Sequence, residues 1–182
     1  GDPRQLDALV VHLQHLANAA LEREDGVAVQ LATNYGYYLR MTGNYSQARP
    51  YYERALAICE HILGPDHPDT AARYNDLGQV LHDQGDLQGA MLCYERALSI
   101  YDRALGDDNP YTASSLSTLG VLFYSIGDLE QARQYFERAQ LVFEKVLGPE
   151  HPHTAANLNN LAALLASMGD LAGARPHYEQ AL

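Results

Sequence analysis

The sequence predicts an all-α fold, an α-solenoid of stacked helix–turn–helix units, and three observations carry that prediction. Glycines recur at Gly43, Gly85, Gly127 and Gly169, an interval of 42 residues each time. Seven or more residues beyond each glycine an aromatic run returns: Tyr52-Glu53-Arg54-Ala55, Tyr94-Glu95-Arg96-Ala97, Phe136-Glu137-Arg138-Ala139 and Tyr178-Glu179-Gln180-Ala181. The blocks "LGPDHPDTA", "LGDDNPYTA" and "LGPEHPHTA" begin at Leu63, Leu105 and Leu147, at the same spacing. A period of this size marks an array of small supersecondary units that bury their apolar faces on one another instead of in one central core.

Residues 1–26 form an N-terminal half-repeat. Leu6, Leu9, Val10, Leu13, Leu16, Ala17, Ala20 and Leu21 follow helical spacing, so one amphipathic capping helix is expected from Pro3 to about Leu21. The full units follow as repeat 1 (27–67), repeat 2 (68–109), repeat 3 (110–151) and repeat 4 (152–182), the last cut short in its second helix.

The first helix of each unit is expected over Val27–Thr42, Pro68–Gln84, Pro110–Ile126 and Pro152–Met168. Asp25, His67, Asn109 and His151 precede these helices. Asp and Asn are good N-caps, and proline suits the first helical position because its missing N–H has no intrahelical partner there. The two histidines occupy the turn that Asn109 holds in the middle unit. The repeat glycine ends each first helix. Asn44, Asp86, Asp128 and Asp170 then cap the second helices, and Asp128 with Gln131 has capping-box spacing. Pro50 and Pro176 fall inside second helices, where a local bend is expected rather than a break.

Small residues mark where paired helices meet. The first helices carry Gly36, Gly78, Gly120 and Ala162, the second Ala48, Ala90, Ala132 and Ala174. Facing small residues allow approach to the short end of the usual range of about 8–10 Å. Tyr52, Tyr94, Phe136 and Tyr178 lie between the alanines and are expected in the core.

The formal charge is -11, from 12 basic and 23 acidic residues, which opposes nucleic acid and anionic membranes as partners and leaves protein. Cys59 and Cys93 sit in different columns of the repeat and read as small buried hydrophobes of a reducing, cytoplasmic compartment. No apolar run approaches the ~20 residues of a membrane span, and no signal-peptide pattern opens the chain. Both ends read as cuts from a longer protein.

Catalytic chemistry finds no foothold. There is no Gly-rich phosphate loop, and the single lysine, Lys145, lies in "FEKVLG". His12/His15, His61/His67 and His151/His153 lack the further ligands of a zinc set. The expectation is a non-enzyme without catalytic residue, cofactor or metal.

The first-helix glycine, the Gly-Asp-Leu turn and the Ala-x3-Tyr/Phe-x2-Ala spacing of the second helix resemble the tetratricopeptide repeat (TPR) along almost the whole chain. The usual unit has about 34 residues; the 42-residue form is similar to the repeats of kinesin light chains and their bacterial relatives, often attached to signalling ATPases of the STAND type. "LNNLA" at Leu158–Ala162 and "ARPYYERALAI" at Ala48–Ile58 carry the resemblance most closely.

The resemblance implies an open right-handed superhelix whose concave wall, built from the first helices, holds an extended peptide, with groove asparagines on the peptide backbone. The matching columns are Thr33-Asn34, Asn75-Asp76, Ser117-Thr118 and Asn159-Asn160. One turn on come Tyr37, Gln79, Val121 and Ala163, then Arg40, His82, Tyr124 and Ala166. The clamp that other TPR proteins use on carboxylate tails is not recognisable here, and Asp76 would repel such a ligand. Tyr37 and Tyr124 do not repeat in their columns and read either as ligand anchors or as rings lying flat over a neighbouring helix.

The leading expectation is therefore a scaffold holding a partner segment in the groove. The alternatives are a sensor arm of a STAND-type ATPase and self-association through repeat faces open at the ends.

Overall fold

Among the described residues of the computed structural model there are nine α-helices and no strand; the backbone is described over residues 3–20 and 22–181, and side chains over 11–19 and 22–181. The helices are α1 (Pro3–Ala20), α2 (Gly26–Met41), α3 (Tyr45–Leu63), α4 (Pro68–Asp83), α5 (Leu87–Leu105), α6 (Pro110–Ile126), α7 (Leu129–Val146), α8 (Pro152–Ser167) and α9 (Leu171–Gln180). The apolar stripe expected at Leu6, Leu9, Val10, Ala20 and Leu21 lies outside the described side chains. The chain forms two compact units, Gly1–Cys93 and Tyr94–Leu182, divided within α5.

Local chemistry explains where the helices stop. Each repeat glycine takes a positive φ, from 77° at Gly43 to 89° at Gly127, which only glycine adopts without strain. At the end of α2 the Gly43 N–H donates to the Arg40 carbonyl at 3.0 Å and the Asn44 N–H to the Leu39 carbonyl at 2.8 Å. This paired closure consumes two orphan carbonyls. The same pair recurs after α4, α6 and α8, through Gly85 and Asp86, Gly127 and Asp128, and Gly169 and Asp170.

The helix starts are equally local. Asn109 Oδ1 accepts from the Tyr111 N–H at 2.9 Å, and Nδ1 of His67 and His151 accept from the Asp69 and His153 N–H groups at 3.1 and 3.2 Å. Asp86, Asp128 and Asp170 accept from Gly89, Gln131 and Gly173 at 3.0, 3.1 and 2.8 Å. Asn44 departs from this pattern and makes no side-chain cap. Its Nδ2 instead donates to Thr42 Oγ1 at 3.0 Å, a partner that the aspartates lack because Gln84, Ile126 and Met168 replace Thr42. α3 and α9 both run through their internal prolines, Pro50 and Pro176.

A third device is the connector threonine. Oγ1 of Thr70, Thr112 and Thr154 donates to the carbonyl of Gly64, Gly106 and Gly148 at 2.8, 2.9 and 2.8 Å. These three side chains are at most 2 % exposed, so each hydroxyl needs that partner. The hydrogen bond joins the end of one helix pair to the start of the next.

In the first unit Gly36 of α2 meets Tyr52 of α3, and a Cβ on Gly36 would lie 3.2 Å from the tyrosine ring. Ala28 and Ala32 of α2 and Ala48 and Ala55 of α3 are fully buried. Tyr35 packs edge-on against Tyr51 with centroids 4.9 Å apart, and the Tyr51 hydroxyl donates to Asn18 of α1. In the second unit Phe136 fills the hollow over Gly120, and Ala132, Leu161, Ala162 and Ala174 continue that core through α7, α8 and α9. Tyr178 corrects the core expectation for its column: it is 42 % exposed, against 3 % for Tyr52 and 2 % for Tyr94. Tyr52, by contrast, lies between α2 and Asp76 of α4.

Candidate protein-binding face of the first helices

In the first unit, α2 and α4 are tied by two polar cross-links. Arg73 donates to Thr33 Oγ1 at 2.7 Å, and Arg40 donates to Asp83 Oδ2 at 2.9 Å. Arg73 also pairs with Asp76 at 3.0 Å. Two charges expected on the groove, Arg40 and Asp76, are thus already engaged inside the protein.

The electrostatics follow from that burial. Asp76 is held above the ordinary carboxyl value because burial penalises its charge, with Arg73 and Arg40 acting in the opposite direction. Burial is the largest single influence on Arg40 and works against its charge, but the hydrogen bond and charge of Asp83 together with Tyr52 outweigh it and raise the guanidinium pKa. The Tyr52 hydroxyl is pushed up to about 12 by burial, with the Asp76 carboxylate adding to it.

The remaining first-unit candidates stand around these links. Asn34 is exposed and accepts from Gln30 Nε2 at 2.9 Å. Tyr37 is 53 % exposed, with the Arg40 guanidinium carbon 5.6 Å from its ring centroid. Asn75, Gln79 and His82 are half-buried on α4, and Gln79 donates to Asp83 at 3.2 Å. A recess of about 330 Å³ in this unit is lined by Val29, Gln30, Cys59, Ile62, Asp69 and Arg73 among others, and none of these candidates lines it.

In the second unit, α6 and α8 frame a recess of about 300 Å³ that brings together Ser117, Thr118 and Asn160. Thr118 donates to the Ser114 carbonyl at 2.9 Å. Asn159 and Tyr124 are exposed but do not line this recess. The neighbouring columns therefore divide in α8: Asn160 turns to the recess and Asn159 does not.

Both recesses fall at the same place in the repeat. Gln30 and Ser114, Cys59 and Phe143, Asp69 and His153, and Arg73 and Asn157 are each two periods apart and line the two recesses in turn.

Asn157 is the residue that reading the columns missed. It is 1 % exposed, and its Nδ2 donates to the Phe136 carbonyl at 2.9 Å and to Gln140 Oε1 at 3.0 Å. Its Oδ1 is buried without a partner. A signal existed: the column Arg73, Ser115, Asn157 is polar in three successive units although the residues that follow it, Tyr74, Leu116 and Leu158, are large and mostly apolar.

Among the described residues no group of three or more His, Cys, Asp and Glu side chains is placed to hold a metal, and no helix is long and apolar enough to cross a membrane. Both cysteines are buried free thiols; burial raises Cys59 and pushes Cys93 up to about 11, which keeps them protonated and unreactive.

Paired helices closed by glycine turns and joined by threonine-locked connectors define a helical-repeat solenoid. A model described as Tetratricopeptide repeat matches residues 28–103, 92–140 and 125–182, and the chain belongs to that family. Tetratricopeptide repeat protein 19, mitochondrial, of Rattus norvegicus and of Mus musculus, is 44 % identical over 48 residues, 26 % of this chain and 13 % of each relative. The match thus spans a small part of those proteins' length.

Among solved structures, BtubC (BKLC) from P. vanneervenii superposes with a TM-score of 0.82 at 23 % identity, over 99 % of this chain and 74 % of that one. Nearly identical TPR-like repeats from a kinesin light chain candidate of Podosopora anserina give 0.77 at 21 % identity, over 98 % and 86 %. The apo form of RapI gives 0.80 at 16 %, over 98 % and 64 %. At these identities the likeness establishes the fold. Repeats of this family are non-catalytic scaffolds that mediate contacts between proteins.

Proposed function

We propose that this chain is a scaffold whose first-helix faces hold an extended segment of a partner protein. One observation carries the reading: each unit, taken by itself, opens a recess at the same repeat position between successive first helices. The electrostatics support it. With Arg40 spent on Asp83 and Asp76 on Arg73, the face is polar but weakly charged, suited to a peptide backbone more than to an acidic or basic tail. Asn34, Asn75 and Asn160 supply carboxamides for backbone pairing, with Gln79, His82, Ser117, Thr118 and Asn159 beside them. Tyr37 and Tyr124, half-exposed aromatic side chains, supply apolar anchors.

The test is selection of random dodecapeptides on the whole chain, followed by hydrogen-exchange mapping of the bound peptide. Protection along the first helices of a unit, α2 and α4 or α6 and α8, is expected, with weaker binding to a triple variant carrying Asn34→Ala, Asn75→Ala and Asn160→Ala. Protection confined to α3 and α7, or unchanged affinity of the triple variant, overturns the reading.

A second reading, self-association through α9, is favoured by the exposure of Leu171 at 70 % and Tyr178 at 42 %. Light scattering across concentrations tests it, and a constant monomer mass removes it.

A further inference from the structure

We infer that the recess between α6 and α8 selects an uncharged carboxamide side chain, Asn or Gln, from the bound segment; the inference rests on the peptide-binding reading above and deepens it. The hydroxyls of Ser114 and Ser117 and the carboxamide of Asn160 line this recess, and among the described residues none of these three side-chain groups makes a hydrogen bond to the protein. Each of these groups both donates and accepts. Their complement is an occupant that does the same, and a carboxamide offers two donors and an acceptor in one plane.

Charge decides against the alternatives. The lining holds no carboxylate, lysine or arginine, and His153 is stacked on Phe143 with centroids 5.9 Å apart. An entering carboxylate or ammonium would find no lysine, arginine or carboxylate in this lining to pair with. The equivalent recess of the first unit differs, because Arg73 and Asp69 line it.

Polarity narrows the class further. An apolar side chain would strand the serine and asparagine groups that line the recess, whereas a carboxamide pairs with them. The methylenes of Gln fit against Val121 and Phe143. Asn157, also part of the lining, reinforces the preference for a donor. Both its bonds to α7 use Nδ2, which fixes the carboxamide and leaves Oδ1 as a buried acceptor with nothing to accept.

The experiment sequences dodecapeptides selected from a random library on the intact chain and then varies the enriched position. Asn or Gln is expected at one position, and replacing it by Glu, Lys or Leu is expected to weaken binding about tenfold, the loss of one or two buried hydrogen bonds. Asn160→Leu and Ser117→Val erase that preference. Ser117→Asp keeps the helical circular dichroism spectrum and transfers the preference to Lys, a gain that misfolding cannot mimic. Peptides that bind the first-helix face but tolerate Glu or Lys at every position, or ignore the recess variants, overturn the inference and leave the scaffold reading standing. If no peptide binds, or the triple asparagine variant is silent, both fall.

Discussion

The ring of Phe136 lies so close over Gly120 that a Cβ on that glycine would stand 2.6 Å from a ring carbon, whereas at Gly36 the Tyr52 ring leaves 3.2 Å. Both rings are buried, with exposures of 2 % and 3 %, so neither can swing away freely. The helix-pair spacing is set by this contact between a missing side chain and an aromatic one.

Gly120→Ala should therefore incur an overpacking cost of about 1–3 kcal/mol. That outweighs the gain of about 1 kcal/mol that alanine brings to a helix interior. Gly36→Ala should be close to neutral, since its ring needs to yield by only a few tenths of an ångström. Urea unfolding of the two variants makes the comparison, and equal stabilities would contradict it.

Thr112→Val preserves shape and removes the hydrogen bond to the Gly106 carbonyl. A loss of about 1–2 kcal/mol is expected, because a part-buried hydrogen bond is removed. Guanidinium unfolding reads it, with Thr154→Val as the matching change one period later.

Asn109→Ala should cost about 1 kcal/mol, the usual worth of an N-cap. His151→Asn should be neutral or stabilising, since Asn109 makes the same bond in the same turn at 2.9 Å where His151 makes it at 3.2 Å. Thermal unfolding of the pair distinguishes a capping role for His151 from any other.

Asp76 gives the stability a pH dependence of known sign. Its native pKa is raised, by burial first, so the folded state binds the proton more tightly than the unfolded state does. The stabilising contribution is then fully present below the unfolded carboxyl value and is lost as pH rises through the native pKa. The stability of the wild type relative to Asp76→Asn should fall as pH rises from the unfolded carboxyl value toward neutrality. A flat or rising difference in urea unfolding free energy would show that the pairing with Arg73 dominates instead.

Much of the architecture was legible along the chain because its causes are short-ranged. A glycine at the end of a helix, a capping side chain two or three residues before the N–H it accepts, and a proline at the first helical position depend on a few neighbouring residues. Asn44 shows the limit of that reading, since a threonine two residues away drew its carboxamide off the cap. The role of the connector threonine was visible only as recurrence. The hydrogen bond of Thr70 to Gly64 became evident once the turn was closed in space.

By itself the sequence determined the 42-residue period, the all-α class and the places where chain direction reverses, because repeated local chemistry repeats local structure. The tertiary structure alone decided which polar side chains on the first helices remain available. Arg73 reaches Thr33 and Arg40 reaches Asp83 across about one full period, and Asn157 is turned inward onto the Phe136 carbonyl while Asn160 opens on a recess. Those outcomes depend on side-chain reach and on the distance between neighbouring helices, which no column of the repeat contains.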